Sequence, residues 1–164
     1  MTSHPDWTVT PDWTVTPNWT ITPNWTITVE TDPDPAVRAK ILAPLAAHNE
    51  AAAGPGHWGL LTVTVRDAAD EVVGGLWGRT GYGFLFVELL ALGPARQQGL
   101  GRQVMAQAEA EARRRGLLGV WLDTFTFQAP GFYQKLGFIE CGRITGYPPG
   151  HDRIFYVKRF SSDD

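Results

Sequence analysis

The chain has 164 residues, 43% of them apolar and 12% aromatic, which suffices for one globular domain with a sizeable core. A net charge of −3 counts against nucleic acid as an obligatory partner, because neutralising phosphates needs a basic surface. Cys141 is the only cysteine, which excludes an intrachain disulfide and a cysteine-based zinc site and suits a reducing cytoplasm, and we expect no metal.

Residues 5–28 form a repeat of period six: Pro-Asp-Trp-Thr-Val-Thr twice, then Pro-Asn-Trp-Thr-Ile-Thr twice. Six is even, so every Trp, Val, Ile and Pro falls at an odd number and every Asp, Asn and Thr at an even one, the alternation of a strand. The last copy continues into Val29-Glu30, so 25–30 is expected to be the first strand of the domain, and residues 1–23 an extension outside it. Nothing at the N-terminus has a basic region followed by an apolar run, and no apolar stretch approaches membrane-spanning length, so neither secretion nor a membrane is expected.

Asp34 as N-cap and Pro35 at the first helical position predict a helix with Val37, Ile41, Leu42 and Leu45 on one face. Pro44 removes the hydrogen bond to the Lys40 carbonyl, so this is either one bent helix or two, 35–43 and 45–53. Strands are then predicted at 59–66 and 72–79 around a polar turn, and Gly81-Tyr82-Gly83 turns into an apolar strand, 84–92, whose single charge is Glu88. A helix over 101–115 carries Val104, Met105, Ala108 and Ala112 at helical spacing and stops at Gly116. Its basic run, Arg113-Arg114-Arg115, reads as a solvated last turn, with Glu109 and Glu111 four residues before Arg113 and Arg115. Strand 118–125 places Trp121 and Asp123 on one side and Val120 and Leu122 on the other, and the crossover rule makes it parallel to 84–92. A short helix at 129–136, a strand at 138–144, a loop at 146–152 and a last strand at 153–160 complete the chain.

Chemistry concentrates at Arg96-Gln97-Gln98-Gly99-Leu100-Gly101-Arg102, between an apolar strand and a long helix. Glycines let the backbone approach a ligand, and the first N–H groups of the helix point outward with the positive end of its dipole, which makes a cradle for phosphate or pyrophosphate. No Lys-Ser/Thr follows the glycines, so this is not a P-loop, and the three-glycine dinucleotide fingerprint is absent.

Arg-x-x-Gly-x-Gly at a strand-to-helix junction resembles the acetyl-CoA signature of the GNAT superfamily of N-acetyltransferases. Residues 129–138, Ala-Pro-Gly-Phe-Tyr-Gln-Lys-Leu-Gly-Phe, resemble the same family's A-x-x-x-Y-x-K-L-G-F segment. The resemblance covers roughly 25–160 and implies an α/β (α+β) fold: a mixed central sheet, with an antiparallel N-terminal meander and a parallel strand pair around the CoA-binding loop, flanked by helices. The domain would then be 24–164. By the same resemblance the amides of Gln97, Gln98, Gly99, Leu100 and Gly101, with Arg96 and Arg102, hold the pyrophosphate of acetyl-CoA, and main-chain groups of Leu90, Ala91 and Leu92 pair with its pantetheine arm.

The implied reaction is direct attack of an amine on the thioester, with an amine of a small molecule or a protein terminus as acceptor. It needs a base, donors for the developing oxyanion and an acid for the leaving thiolate. Tyr133 matches the family's acid, and a phenol is close to a thiol in acidity. Glu88 is either the base or amine-orienting group, or one half of an ion pair with Arg79 or another arginine, since a lone buried carboxylate is costly. Asp123 is a second acidic candidate, and His48, His57 and His151 read as surface or loop histidines. Gln97, Pro94 and Thr126 depart from the family pattern, Thr126 standing where an asparagine is common. The rival reading is a GNAT-like module that binds CoA without turnover and associates through its repeats. Fully extended, 5–29 would span roughly 80 Å, so the early copies fold back, add as a strand to a second subunit in a homodimer, or stay disordered.

Overall fold

The computed structural model describes residues 26–93 and 99–161. The chain divides into two compact units, Met1–Leu42 and Ala43–Asp164. Helix α1 (Pro35–Ala53) begins in the first and ends in the second, and Asp34 caps it as its sequence predicts. The carboxylate accepts from the Ala36 N–H at 2.7 Å and the carbonyl from the Val37 N–H at 2.8 Å. Pro44 does not split the helix. The alanine-rich sequence favours a helix by propensity. Thr26 to Glu30 take no strand conformation, against the expectation for 25–30, and Trp25 lies outside the described residues. Alternation marks residues suited to a strand, but only a neighbouring edge completes its hydrogen bonds.

The second unit is built on a six-stranded sheet. It contains β1 (Gly59–Arg66), β2 (Val72–Gly81), β3 (Phe84–Ala91), β4 (Gly119–Phe125), β5 (Ile139–Ile144) and β6 (Arg153–Arg159), in the order β1-β2-β3-β4-β6-β5. Local chemistry sets the meander. Asp67 turns β1 into β2 by accepting from the N–H groups of Ala69 and Glu71 at 2.9 and 3.0 Å. Tyr82 and Gly83, at φ 47° and 79°, supply the left-handed pair that a two-residue hairpin needs before β3. Helix α2 (Leu100–Arg114) then crosses over, so β4 returns parallel to β3, as predicted.

One face of the sheet carries the core. Val104, Met105, Ala108 and Ala112 of α2 are buried with Leu61, Leu76, Leu85, Val87, Val120 and Leu122, and the two alanines let the helix sit close to the strands. The predicted pair of Glu111 with Arg115 forms in the last turn of α2. Glu111 holds Arg114 and Arg115 at 2.6 and 2.7 Å, which keeps its carboxyl down at about 2, whereas Glu109 reaches Lys158 of β6 at 2.6 Å and Arg113 lies 3.9 Å over the Phe160 ring. The other face is open and aromatic. Phe84, Phe86, Trp121, Phe155 and Val157 floor a cleft of about 810 Å³, with the Phe86 and Trp121 rings stacked at 3.9 Å.

Candidate active site

Strands β3 and β4 share a parallel ladder of only four residue pairs, from Phe84↔Gly119 to Val87↔Leu122. Both strands continue beyond it, but with other partners. Leu90 and Ala91 pair with Leu76 and Gly75 of β2, while Asp123 and Phe125 pair with Phe155 and Arg153 of β6. The two strands therefore diverge, and among the described residues no ladder closes the gap between them. A slot opens there, flanked by main-chain groups of Leu90 and Ala91 on one side.

Glu88 sits where the divergence begins. The β2–β3 register shifts between Trp77 and Gly78, paired with Leu89 and Val87, so Glu88 is the extra residue between those two. Gly78 is required opposite: a Cβ there would meet the Phe86 carbonyl oxygen at 2.7 Å. The Glu88 carboxylate is ion-paired with Arg79, which makes the ion-pair alternative a fact of the structure. Asp123, the first β4 residue beyond the ladder, is held bidentately by Arg153, with Nε and Nη2 donating to its two oxygens at 2.7 and 2.8 Å.

Helix α3 (Pro130–Lys135) brings Tyr133 to this end of the slot. The Tyr133 ring is packed edge-on by Phe132 and Phe138 and tilted against Tyr156, and only 9% of the residue is exposed. Burial, and then the negative charge of Asp123, push its phenol above the ordinary tyrosine range. Tyr156, against which the ring packs, pairs with Leu122 at the last rung of the parallel ladder, and this links Tyr133 to the mouth of the slot. Gly99, at φ 74°, is the N-cap of α2, and Gly101 stands where the helix starts against Phe132 and Leu92; a Cβ on it would lie 3.3 Å from Phe132 Cζ and 3.4 Å from Leu92 Cδ1. Leu100 is half-buried and Arg102 exposed, while Arg96, Gln97 and Gln98 lie outside the described residues.

Some residues at the site carried no clear signal in sequence. Gln128 Oε1 accepts from the Thr124 hydroxyl at 2.8 Å and the Phe125 N–H at 2.9 Å, which terminates β4. Thr126 ties the 146–152 loop to that end: its N–H donates to the Asp152 carbonyl at 3.0 Å, and its hydroxyl accepts from the Asp152 N–H at 3.1 Å. Arg143 then clamps the Asp152 carboxylate at 2.7 Å, holding it below the usual carboxylate range together with the Gly146 N–H. His151 lies in this loop, with Nδ1 3.3 Å from Thr126 Oγ1, whereas His48 is exposed on α1 and His57 precedes β1 at φ 47°. A loop contact of this kind joins residues 26 positions apart, and no local pattern announces it.

A slot between diverging strands, a glycine-started helix and a buried tyrosine lie together. The model of the acetyltransferase (GNAT) family matches residues 20–138 of the chain. The chain belongs to the GNAT family. It is 36% identical over 128 residues to an acetyltransferase of Agrobacterium fabrum, covering 77% of this chain and 93% of that one. It is 45% identical over 90 residues to a blasticidin-S acetyltransferase of Streptomyces morookaense, covering 54% and 66%. Among solved structures, an acetyltransferase from Agrobacterium tumefaciens superposes with a TM-score of 0.78 at 33% identity, over 83% of this chain and all of that one. One from Bacillus cereus superposes with a TM-score of 0.75 at 25% identity, over 82% and 98%. This GNAT protein is an acyl-CoA N-acetyltransferase with acetyl-CoA as cosubstrate. Among the described residues no helix is long and apolar enough to cross a membrane, and no three His, Cys, Asp or Glu side chains gather as a metal site.

Proposed function

We propose that the chain transfers acetyl from acetyl-CoA to a primary amine of a small molecule in the cytoplasm. The observation that carries the reading is the divergence of β3 from β4 beyond Val87 and Leu122, at the end where Asp123 influences the buried Tyr133 phenol. Leu90, Ala91 and Leu92 offer main-chain groups to the pantetheine arm along one side of the slot. The amides of residues 97–101, with Arg96 and Arg102, hold the pyrophosphate, and the absence of a Cβ on Gly101 keeps the helix start open to it. A small-molecule acceptor is supported by the blasticidin-S acetyltransferase, which shares 45% identity over 90 residues.

In the reaction the neutral amine nitrogen bonds to the thioester carbon, the C–S bond breaks, and one proton moves from nitrogen while another reaches sulfur. Tyr133 supplies the proton to sulfur; its raised pKa keeps the phenol protonated at neutral pH and makes its transfer follow, not precede, the charge on sulfur. Glu88 and Asp123 are each held in an ion pair by an arginine, an arrangement suited to orienting the ammonium, whose proton passes to water. Thiol release from acetyl-CoA across a panel of primary amines tests the reading. Turnover with at least one small amine is expected, and CoA binding with no turnover on any amine or peptide would sink it.

A further inference from the structure

Where β4 ends, four rings form a corner that burial does not explain. Phe127 is 55% and Tyr147 48% exposed, whereas Tyr133 and Tyr156 are buried. Exposed rings gathered in one place mark a surface with a use. Phe127 stacks on Phe125 with centroids 5.0 Å apart and planes 9° from parallel, and His151 stands against Phe127 at 5.0 Å and 77°. Tyr147 packs on Phe125 at 5.9 Å. The corner is held by the backbone: Thr126 bonds to Asp152 and lies in contact with His151, which fixes the loop that carries two of the rings.

Charge at the corner is paired within the chain, three carboxylates against two guanidiniums. The Arg153 guanidinium lies 5.6 Å from the Phe125 ring and 5.9 Å from that of Tyr147, and Asp123 neutralises it through two hydrogen bonds. Asp152 and Glu140 are likewise taken up by Arg143. Glu140 and Asp152 share one guanidinium, so a single net negative charge is left at the corner for an ammonium, and the rings are what remains to tell one amine from another. Asp123, held by Arg153 beside these rings, follows Leu122, whose β6 partner Tyr156 packs against Tyr133, so the corner belongs to the end of the slot where acetyl transfer is placed.

We propose that the corner formed by Phe127, His151 and Tyr147 selects the acceptor, and that the acceptor is a small-molecule amine carried on a flat aromatic ring. This rests on the acetyl-transfer reading above. Two ring planes at nearly a right angle receive a flat ring stacked on one and edge-on to the other, the two arrangements that the aromatic quadrupole favours. A saturated ring of the same skeleton is thicker and has no quadrupole, so it loses both contacts.

Calorimetric titration of 2-phenylethylamine and of 2-cyclohexylethylamine into the full chain saturated with CoA tests this without turnover. The aromatic amine is expected to bind about tenfold more tightly, the sum of two ring contacts. Phe127→Leu keeps apolar bulk at an exposed position and should bring the two affinities to within about twofold of each other. Equal affinities in the wild type, or a preference that survives Phe127→Leu, would overturn the inference. A peptide beginning Phe-Gly-Gly that binds as tightly as 2-phenylethylamine would overturn its restriction to small molecules. Selective binding with no thiol release from any amine would sink the acetyl-transfer reading and leave the corner's selectivity standing; turnover with equal affinities would do the reverse.

Discussion

Tyr133 carries two predictions that separate chemistry from packing. Tyr133→Phe removes one hydroxyl from a buried ring, so CoA affinity should stay nearly constant while kcat falls by about 10² or more, read from steady-state rates and a CoA titration. An unchanged rate would mean that the thiolate is protonated from elsewhere. The second prediction follows from the raised pKa, caused first by burial and then by Asp123. A proton held more tightly in the folded chain than in the unfolded one contributes stability that is complete below about pH 10 and lost as pH rises through the folded value. Thermal melts between about pH 9 and 12 should therefore fall more steeply for the wild type than for Tyr133→Phe; parallel curves would contradict the shift. The position of this residue was legible from its motif. Its neighbours were not: Arg153, 30 positions from Asp123, is an unremarkable strand arginine until β4 and β6 lie side by side.

At the scale of elements, the α2 start and the β1–β2 pairing each depend on a glycine. Gly101→Glu places bulk and negative charge where the pyrophosphate is proposed to lie. In the wild type, CoA at about 100 times its Kd should stabilise the fold by about 2.7 kcal/mol, and the variant should show no such thermal shift. Equal shifts would remove the anion-binding reading of the loop. Gly75, at φ 146°, faces the Val63 carbonyl so closely that a Cβ would run into it. Gly75→Ala should cost about 2 kcal/mol or more in urea unfolding, through strain at the end of β2 that faces Ala91. Sequence patterns showed that β2, β3 and α2 exist, because alternation, a glycine turn and helical spacing are local. The length of the β3–β4 ladder was not legible, since it depends on which strand takes over each partner's edge.

For the whole molecule, the question is where the acyltransferase begins. The family match starts at residue 20, and the first repeats precede it. Deletion of residues 1–22 is expected to leave a folded protein that CoA still stabilises, measured by circular dichroism and thermal shift. Loss of either would place part of the repeat inside the domain. Light scattering on the full and shortened chains then decides between association and a dispensable tail: a change in mass assigns the repeat to subunit contact.

Composition and period were enough to determine the order of the elements from residue 35 onward, the parallel return of β4 and the two motifs of a GNAT protein, because each rests on contacts within one element or on the handedness of a crossover. The structure corrected a local expectation that needs a distant partner. The strand pattern at 26–30 formed no strand. Only the tertiary structure decided that Glu88 is an inserted residue paired with Arg79, that Asp123 is clamped by Arg153, and that Thr126 anchors the 146–152 loop. These are pairings between strands and loops far apart in the chain, fixed by register and divergence, which no single window of sequence contains.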